Sequence, residues 1–362
     1  MLQYREFPTR TAAVFLLFAG PISLNFYVIM GLISGTVFNL DLEQHHGLLG
    51  YGALAVVFVL PFTGIIVDRI RRIDSLMILA AAATPLACLY LLTGPVGNQL
   101  TTLNLTIAIS SFSSLAALLV LWTIRVNQSI IARYRGRTVA ALLTFAVVLS
   151  TLYPMLRQAG FFIDSKNLIL PAFIALILLL VSIGMKPWKQ PRVSLAASGN
   201  ALSYFIPTTL IMASYILWYA VMKLSLQSFF AGDSSFVSLS QYVNLPLLEI
   251  IVLIFGIIIA GILADSRGRK PTFSFALLMM GLLTIFGSTL YTAFFQNSNF
   301  IWLLQLLLGS ERFIEGYLLG LCLFLIWPEL GSVRTKGLRL SLIWFFFLGY
   351  MTLFWAVDLN IL

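Results

Sequence analysis

Long apolar runs recur along the whole chain, separated by short polar turns. A helix needs about 20 apolar residues to cross the hydrocarbon core of a bilayer, so each run predicts a transmembrane helix. Of the 362 residues, 60% are hydrophobic and only 10% are charged, with a mean hydropathy of +0.98. This composition excludes a water-soluble globular protein and a disordered chain. The sequence therefore predicts an all-α polytopic membrane protein embedded in the lipid bilayer.

Eleven spans are predicted, and the connections between them alternate in charge. We place the spans at about 13–36, 47–66, 75–93, 104–130, 138–156, 168–185, 203–228, 244–264, 273–293, 300–327 and 341–361. Seventeen of the 22 lysines and arginines fall on the side that carries the N-terminus. By the positive-inside rule this side is cytoplasmic, and eleven crossings leave the C-terminus outside. We expect a monomeric, multi-pass protein of the cell membrane.

A basic segment rich in Pro, Ser and Ala, residues 186–200, has the composition of a cytoplasmic linker. It separates residues 1–185, with six predicted helices, from residues 201–362, with five. The two parts differ in length by 23 residues, which is close to one spanning helix. We therefore expect an N-terminal six-helix half and a C-terminal half of five helices.

The two halves repeat the same loop sequence. After the second span the chain reads GIIVDRIRR (64–72), and after the eighth it reads GILADSRGRK (261–270). Both have a glycine, three apolar residues, an aspartate and a basic turn, 197 residues apart. A shorter repeat joins Arg135-Gly136 to Lys336-Gly337, 201 residues further on. Repeats with parallel topology build one major architecture of secondary transporters.

This loop pattern, G-x-x-x-D-[RK]-x-G-[RK]-[RK], resembles the signature of the major facilitator superfamily (MFS). The second copy departs from it only at Ser266, and the first has Arg71 where the superfamily has glycine. The resemblance extends over nearly the whole chain and implies two related halves of the six-helix type, here with 6+5 helices and no twelfth helix. It also implies a transporter whose two halves are parallel repeats related by a pseudo-twofold axis.

The two loop copies are candidate gating motifs. Their residues are Gly64, Asp68, Arg69 and Arg72 in the first copy, and Gly261, Asp265, Arg267, Gly268, Arg269 and Lys270 in the second. The first glycine of each copy lets neighbouring helices pack closely. Each aspartate lies beside basic residues, where an ion pair could hold or release a helix contact. In the superfamily this pairing is thought to lock the cytoplasmic gate; the alternative is that the charges only orient the chain.

Three charged residues, Glu311, Arg312 and Glu315, lie within the tenth span. Ionisable residues in a spanning helix are costly and usually mark function. The two glutamates share one helix face, and Arg312 is spaced to pair with Glu315. One carboxylate is left in excess, and burial favours its protonated form, which suits proton coupling. The alternative is an ion pair that only neutralises itself.

Three further residues are weaker candidates for a substrate or proton site. Arg125 stands in RVNQS, which is similar to the superfamily pattern R-x-x-Q-G of the fourth helix, but snorkelling to the cytoplasmic interface explains it equally well. Asn25 and Tyr27 interrupt the first span and are expected to line a cavity or to fill a kink. Lys223 and Glu249 are interpreted as interfacial charges at the outer ends of their spans.

Signatures of other function classes are missing from the sequence. It has no Walker-type phosphate loop, and His45 and His46 are its two histidines, so we expect no enzyme. These histidines, with Asp41 and Glu43, are interpreted as a solvated outer loop and not as a metal site. We expect no cofactor, and no nucleic acid partner, because the net charge of +9 lies in topology-setting clusters.

The leading hypothesis is a secondary active transporter that moves a small solute by alternating access, with proton coupling left open. A sensor or structural membrane protein of transporter-like fold, or a truncated transporter, is the alternative that the odd helix count suggests.

Overall fold

The computed structural model describes residues 20–29, 42–70, 72–93, 102–129, 135–158, 165–184, 206, 210, 246–294, 301–321 and 337–345. Within these ranges the chain is helical and forms no strand. The helices are α1 (Gly20–Ile29), α2 (Leu42–Ile70), α3 (Ile73–Thr93), α4 (Thr102–Ser129), α5 (Arg135–Gln158), α6 (Ser165–Gly184), α7 (Pro246–Ser266), α8 (Arg269–Phe294), α9 (Ile301–Leu318) and α10 (residues 337–345).

The helices have the length and surface of membrane spans. Four segments of the described chain are long and apolar enough to cross a bilayer: Gly50–Ile70, Ile73–Tyr90, Leu105–Val126 and Leu248–Ser266. On α2, Leu54, Phe58 and Phe62 lie four residues apart on one face, and each is more than half exposed. A face of this kind is stable against lipid and not against water. The chain is an integral membrane protein.

The chain forms two compact units that combine segments from both parts of the sequence. Unit 1 comprises Met1–Ile131, Ala141–Ala197 and Gly331–Gly349, and unit 2 comprises Ala132–Ala140, Ser198–Leu330 and Tyr350–Leu362. The first residues of α5 therefore belong to unit 2, and α10 belongs to unit 1. The linker 186–200 and nearly all of the seventh span lie outside the described residues, so the division into halves and the 6+5 count stay predictions.

In unit 1, α4 packs against α2 and α3, and α3 also packs against α6. Helix α1 joins this bundle through an apolar cluster formed by Val28, Ala87, Cys88, Ile107, Ala108, Leu168 and Ala172. In unit 2, α7 packs most extensively against α9, and α8 contacts both.

Glycines bring α7 and α9 into backbone contact. A Cβ atom at Gly316 would collide with the carbonyl oxygen of Leu253, and one at Gly256 would collide with that of Phe313. Small residues permit this close approach in membranes, where packing rather than the hydrophobic effect drives helix association. The approach fixes the rotation of α9 against α7, and hence the direction of the charged side chains that precede Gly316.

Candidate functional site

The charged residues of the tenth predicted span meet a fourth charge from α7. Arg312 donates from Nη1 to Oε2 of Glu315 at 2.7 Å, as the spacing predicts, and from Nε to Oε2 of Glu249 at 2.9 Å. All three side chains are half-buried. We call Glu249, Glu311, Arg312 and Glu315 the carboxylate cluster.

Glu311 lies one turn before Glu315 on α9 and is only 3% exposed. With Glu249 included, the cluster holds three carboxylates and one guanidinium, an excess of two negative charges when all are ionised. The sequence predicts an excess of one, because it does not reveal Glu249 as a member. Only the packing of α7 against α9 reveals Glu249 as a member. The two helices meet at Leu253 and Gly316. Leu253 lies four residues after Glu249, and Gly316 lies four residues after Arg312, so the two charged residues also come together.

Asp68 binds the N-terminus of α10. Its Oδ1 accepts from the backbone N–H of Gly337 at 2.8 Å, and its Oδ2 accepts from that of Leu338 at 2.9 Å. First-turn amides have no partner within their own helix, and the helix dipole favours a negative charge there. Asp68 is therefore a carboxylate cap for a helix that is 269 residues distant in sequence.

Asp265 makes the equivalent contact in unit 2. Its Oδ1 accepts from the N–H of Gly136 at 2.8 Å and its Oδ2 from that of Arg137 at 2.9 Å, at the N-terminus of α5. The two repeats of the sequence thus make one kind of contact: the aspartate of each loop motif caps the helix that begins at the shorter repeat. We call these two contacts the aspartate caps.

The glycines of the motifs are required by the aspartate caps. A Cβ atom at Gly64 would collide with Ser341 and lie 2.7 Å from the carbonyl oxygen of Gly337. A Cβ atom at Gly261 would meet the backbone of Gly136 and lie 2.7 Å from Cβ of Ala140. Close helix packing at Gly64 and Gly261 is what the sequence predicts, and the structure adds the surface against which each packs.

The basic residues of the motifs lie around the caps in different environments. Arg69, Arg72, Arg267 and Lys270 are exposed, and Gly268 has a φ of 87°, which permits the turn between α7 and α8. Arg269 is half-buried, and its pKa is lowered to about 10, mainly by burial and then by the nearby charge of Arg135. Arg135 is 2% exposed, and burial lowers its pKa to about 10. The sequence does not predict Arg135 as a buried residue beside the cap.

Arg125 has a partner within its own unit. Its Nε donates to Oδ1 of Asp74 at 2.8 Å, and Nη2 pairs with the same carboxylate. The pair joins the end of α4 to the start of α3. This contact explains Arg125 as a helix-joining residue, and its assignment to a substrate site stays a prediction.

Asn25 and Tyr27 lie on α1 in the bundle of unit 1. Asn25 is fully buried, and Tyr27 is partly buried and packs against the apolar cluster around Val28. Their role in lining a cavity stays a prediction. The side chains of His45 and His46 lie outside those that the structure describes, and the described residues hold no group of three or more potential metal ligands.

Comparison with known proteins identifies the fold through structure and not through sequence. Neither protein-family models nor curated proteins match the sequence. The chain is similar to the crystal structure of a bacterial homologue of the iron transporter ferroportin in the outward-facing state, with a TM-score of 0.66 and 16% identity over 97% of this chain and 92% of that one.

Two further solved structures resemble the chain. The MFS proton:xylose symporter XylE, bound to 6-bromo-6-deoxy-D-glucose, has a TM-score of 0.59 and 15% identity over 94% of this chain and 87% of that one. The human organic anion transporter MFSD10 (TETRAN) has a TM-score of 0.60 and 15% identity over 98% and 93%. The chain has the fold of MFS transporters, which confirms the fold predicted from the repeated loops. These neighbours are transporters and not enzymes.

Proposed function

We propose that the protein is a secondary active transporter that moves a small solute by alternating access and couples this movement to protons. The observation that carries the proposal is the carboxylate cluster, in which two glutamates bind one arginine and a third, buried glutamate lies one turn from Glu315 on the same helix. Charged residues within spanning helices are costly, and they usually mark the sites where ions or substrates move.

The arrangement suits reversible protonation of Glu311. Arg312 donates hydrogen bonds to Glu249 and Glu315, and with Glu311 the cluster holds more carboxylates than its single guanidinium balances. Because the cluster has an excess of carboxylates, uptake of one proton lowers its net negative charge. A proton taken up from one side of the membrane and released to the other would supply the driving force that a transporter without ATP hydrolysis needs.

The aspartate caps supply a way to switch states. Each cap is a small contact, two hydrogen bonds and a helix dipole, that can form and break without unfolding either helix. We propose that the caps stabilise the state in which these cytoplasmic helix ends are held together, and that their release accompanies opening toward the cytoplasm.

The fold alone does not identify the substrate. The neighbours named above are described as a proton:xylose symporter, an organic anion transporter and a homologue of an iron transporter. A test therefore begins with a panel of these three classes: xylose, an organic anion and iron. The purified protein would be reconstituted into vesicles that contain a pH-sensitive dye, and each solute would be applied with and without a proton gradient.

The proposal expects one class of solute to move protons with it in the wild-type protein and not in Glu311→Gln. Asp74→Asn is the matched control, because it neutralises a carboxylate that pairs with Arg125 outside the carboxylate cluster. Proton movement that is equal in wild type and Glu311→Gln would refute the role of Glu311. A wild-type protein that binds these solutes without transporting any of them would favour a sensor.

A further inference from the structure

Among the buried polar side chains of unit 1 that have no hydrogen-bond partner in the described part of the chain, three lie on neighbouring helices. They are Asn25 on α1, Thr84 on α3 and Ser111 on α4, and none is more than 1% exposed. Both the amide nitrogen and the amide oxygen of Asn25 are unsatisfied. An unsatisfied buried polar group costs about 1–3 kcal/mol, so a native bundle does not leave several of them without a partner.

The register of α3 and α4 places Thr84 and Ser111 at the same level of this helix pair. The hydroxyl of Ser114 on α4 donates to the carbonyl oxygen of Ala80 on α3, so these two residues lie at the same height along the helix pair. Ala87 and Cys88 meet Ile107 and Ala108 in the apolar cluster, which fixes a second level and shows that the two helices are antiparallel. Thr84 lies between these levels on α3, and Ser111 lies between them on α4.

The position of Val28 indicates that Asn25 lies near the same level. Val28 of α1 packs into the apolar cluster, and Asn25 precedes it by three residues, or about one turn. Thr84 precedes Ala87 by the same three residues. The first and third spans run in the same direction through the membrane, so Asn25 and Thr84 lie on the same side of the cluster. We call Asn25, Thr84 and Ser111 the polar layer.

The other hydroxyls show why the polar layer is unusual. Thr63, Thr123 and Ser182, which are also buried, each donate to the carbonyl four residues earlier in their own helix. For Thr84 that carbonyl belongs to Ala80, which already accepts the hydroxyl of Ser114. Its local acceptor is therefore taken by the neighbouring helix.

Pro85 adds an acceptor to the same place. Proline has no N–H, so the carbonyl of Ala81, four residues earlier in α3, receives no helix hydrogen bond from residue 85. Ala81 is itself buried. The polar layer thus contains two hydroxyls and an amide that presents both donors and an acceptor, and the carbonyl of Ala81 is a further acceptor one turn before Thr84 and Pro85.

We propose that the polar layer binds ordered water inside unit 1. A water molecule both donates and accepts two hydrogen bonds, so it matches a site that offers both kinds of group, and buried waters typically make about three such bonds. A cation would satisfy the oxygens but would face the N–H donors of Asn25, and the polar layer contains no carboxylate to offset its charge. Water, which both donates and accepts, can satisfy the donors and the acceptors of the polar layer alike.

X-ray hydroxyl-radical footprinting tests this directly, because radicals form from bound water and oxidise the side chains beside it. Cys88 is the reporter: it is 1% exposed and lies one turn beyond Thr84. Met77 is the internal reference, a fully buried sulfur side chain two turns away on the other side of Thr84. We expect Cys88 to be oxidised on the order of tenfold faster than Met77 in the intact, reconstituted protein.

The variant Thr84→Val with Ser111→Ala removes both hydroxyls, and we expect the oxidation of Cys88 to fall to the level of Met77. Thr63→Val is the matched control, since its hydroxyl binds its own helix, and should leave Cys88 oxidation unchanged. Equal oxidation of Cys88 and Met77 in the wild type would overturn the proposal without any variant. Cys88 oxidation or a melting temperature that changes on replacing potassium by sodium would overturn it in favour of a cation.

Discussion

Asp265→Asn tests whether the aspartate cap holds the start of α5. The asparagine keeps one acceptor oxygen and loses the other, so one of the two hydrogen bonds to Gly136 and Arg137 is removed. A hydrogen bond to a charged acceptor contributes about 1.5 kcal/mol or more. Loss of the charge at the helix N-terminus removes about 0.5 kcal/mol further. The sum, about 2 kcal/mol, corresponds to a roughly 30-fold shift in the equilibrium between closed and open contact.

The population of the open contact can be read from the reactivity of a buried thiol. Val139 lies in the first turns of α5 and is 1% exposed. In a protein whose native cysteines are replaced by serine, the alkylation rate of Val139→Cys therefore reports how often the cap at the start of α5 opens. We expect Asp265→Asn to raise that rate about 30-fold and to lower the melting temperature by a few degrees, as a loss of about 2 kcal/mol does in a chain of this size. The same rate in both proteins would refute the cap.

Arg269→Gln distinguishes two explanations of the contact: capping of α5 by Asp265, and an ion pair between Asp265 and its basic neighbours. If the ion pair between the aspartate and its basic neighbours held the contact, as the sequence alone suggests, Arg269→Gln would raise the alkylation rate as much as Asp265→Asn. Because the carboxylate is bound by backbone amides, we expect Arg269→Gln to raise it less than about threefold.

Gly316→Ala should lower the melting temperature, because the added Cβ atom would collide with the carbonyl oxygen of Leu253 at a cost of about 1–3 kcal/mol. Gly281→Ala is the control: a Cβ atom there meets open space, so the melting temperature should not fall. Trp344→Phe removes the N–H that donates to Thr123 at 2.9 Å, and should cost about 1 kcal/mol in thermal unfolding. A cysteine at Ser194 in the linker should react with impermeant reagents only from the cytoplasmic side, and external labelling would contradict the topology.

The fold could be predicted because its signals are local. Apolar runs define the helices, and the repeated Gly64 and Gly261 loops identify the architecture. The spacing of Arg312 and Glu315 predicts their hydrogen bond, since residues three apart on a helix are neighbours whatever surrounds them.

The rest of the site depends on contacts between distant segments. Glu249 reaches Arg312 across 63 residues, and only the packing of α7 on α9 brings them together. The caps depend on backbone amides, which carry no residue signature, so the sequence indicates Asp68 without its partner. The unsatisfied hydroxyl of Thr84 depends on Ser114, 30 residues further on, taking its acceptor.

The central claim, that Glu311 couples solute movement to protons, is tested most directly by comparing two transport modes of one solute in Glu311→Gln. Exchange of solute across vesicles without a proton gradient needs only alternating access, whereas accumulation against a gradient needs a bound proton. We expect Glu311→Gln to keep exchange near the wild-type rate and to lose accumulation driven by protons. Accumulation in Glu311→Gln with the pH dependence of the wild type would contradict the account.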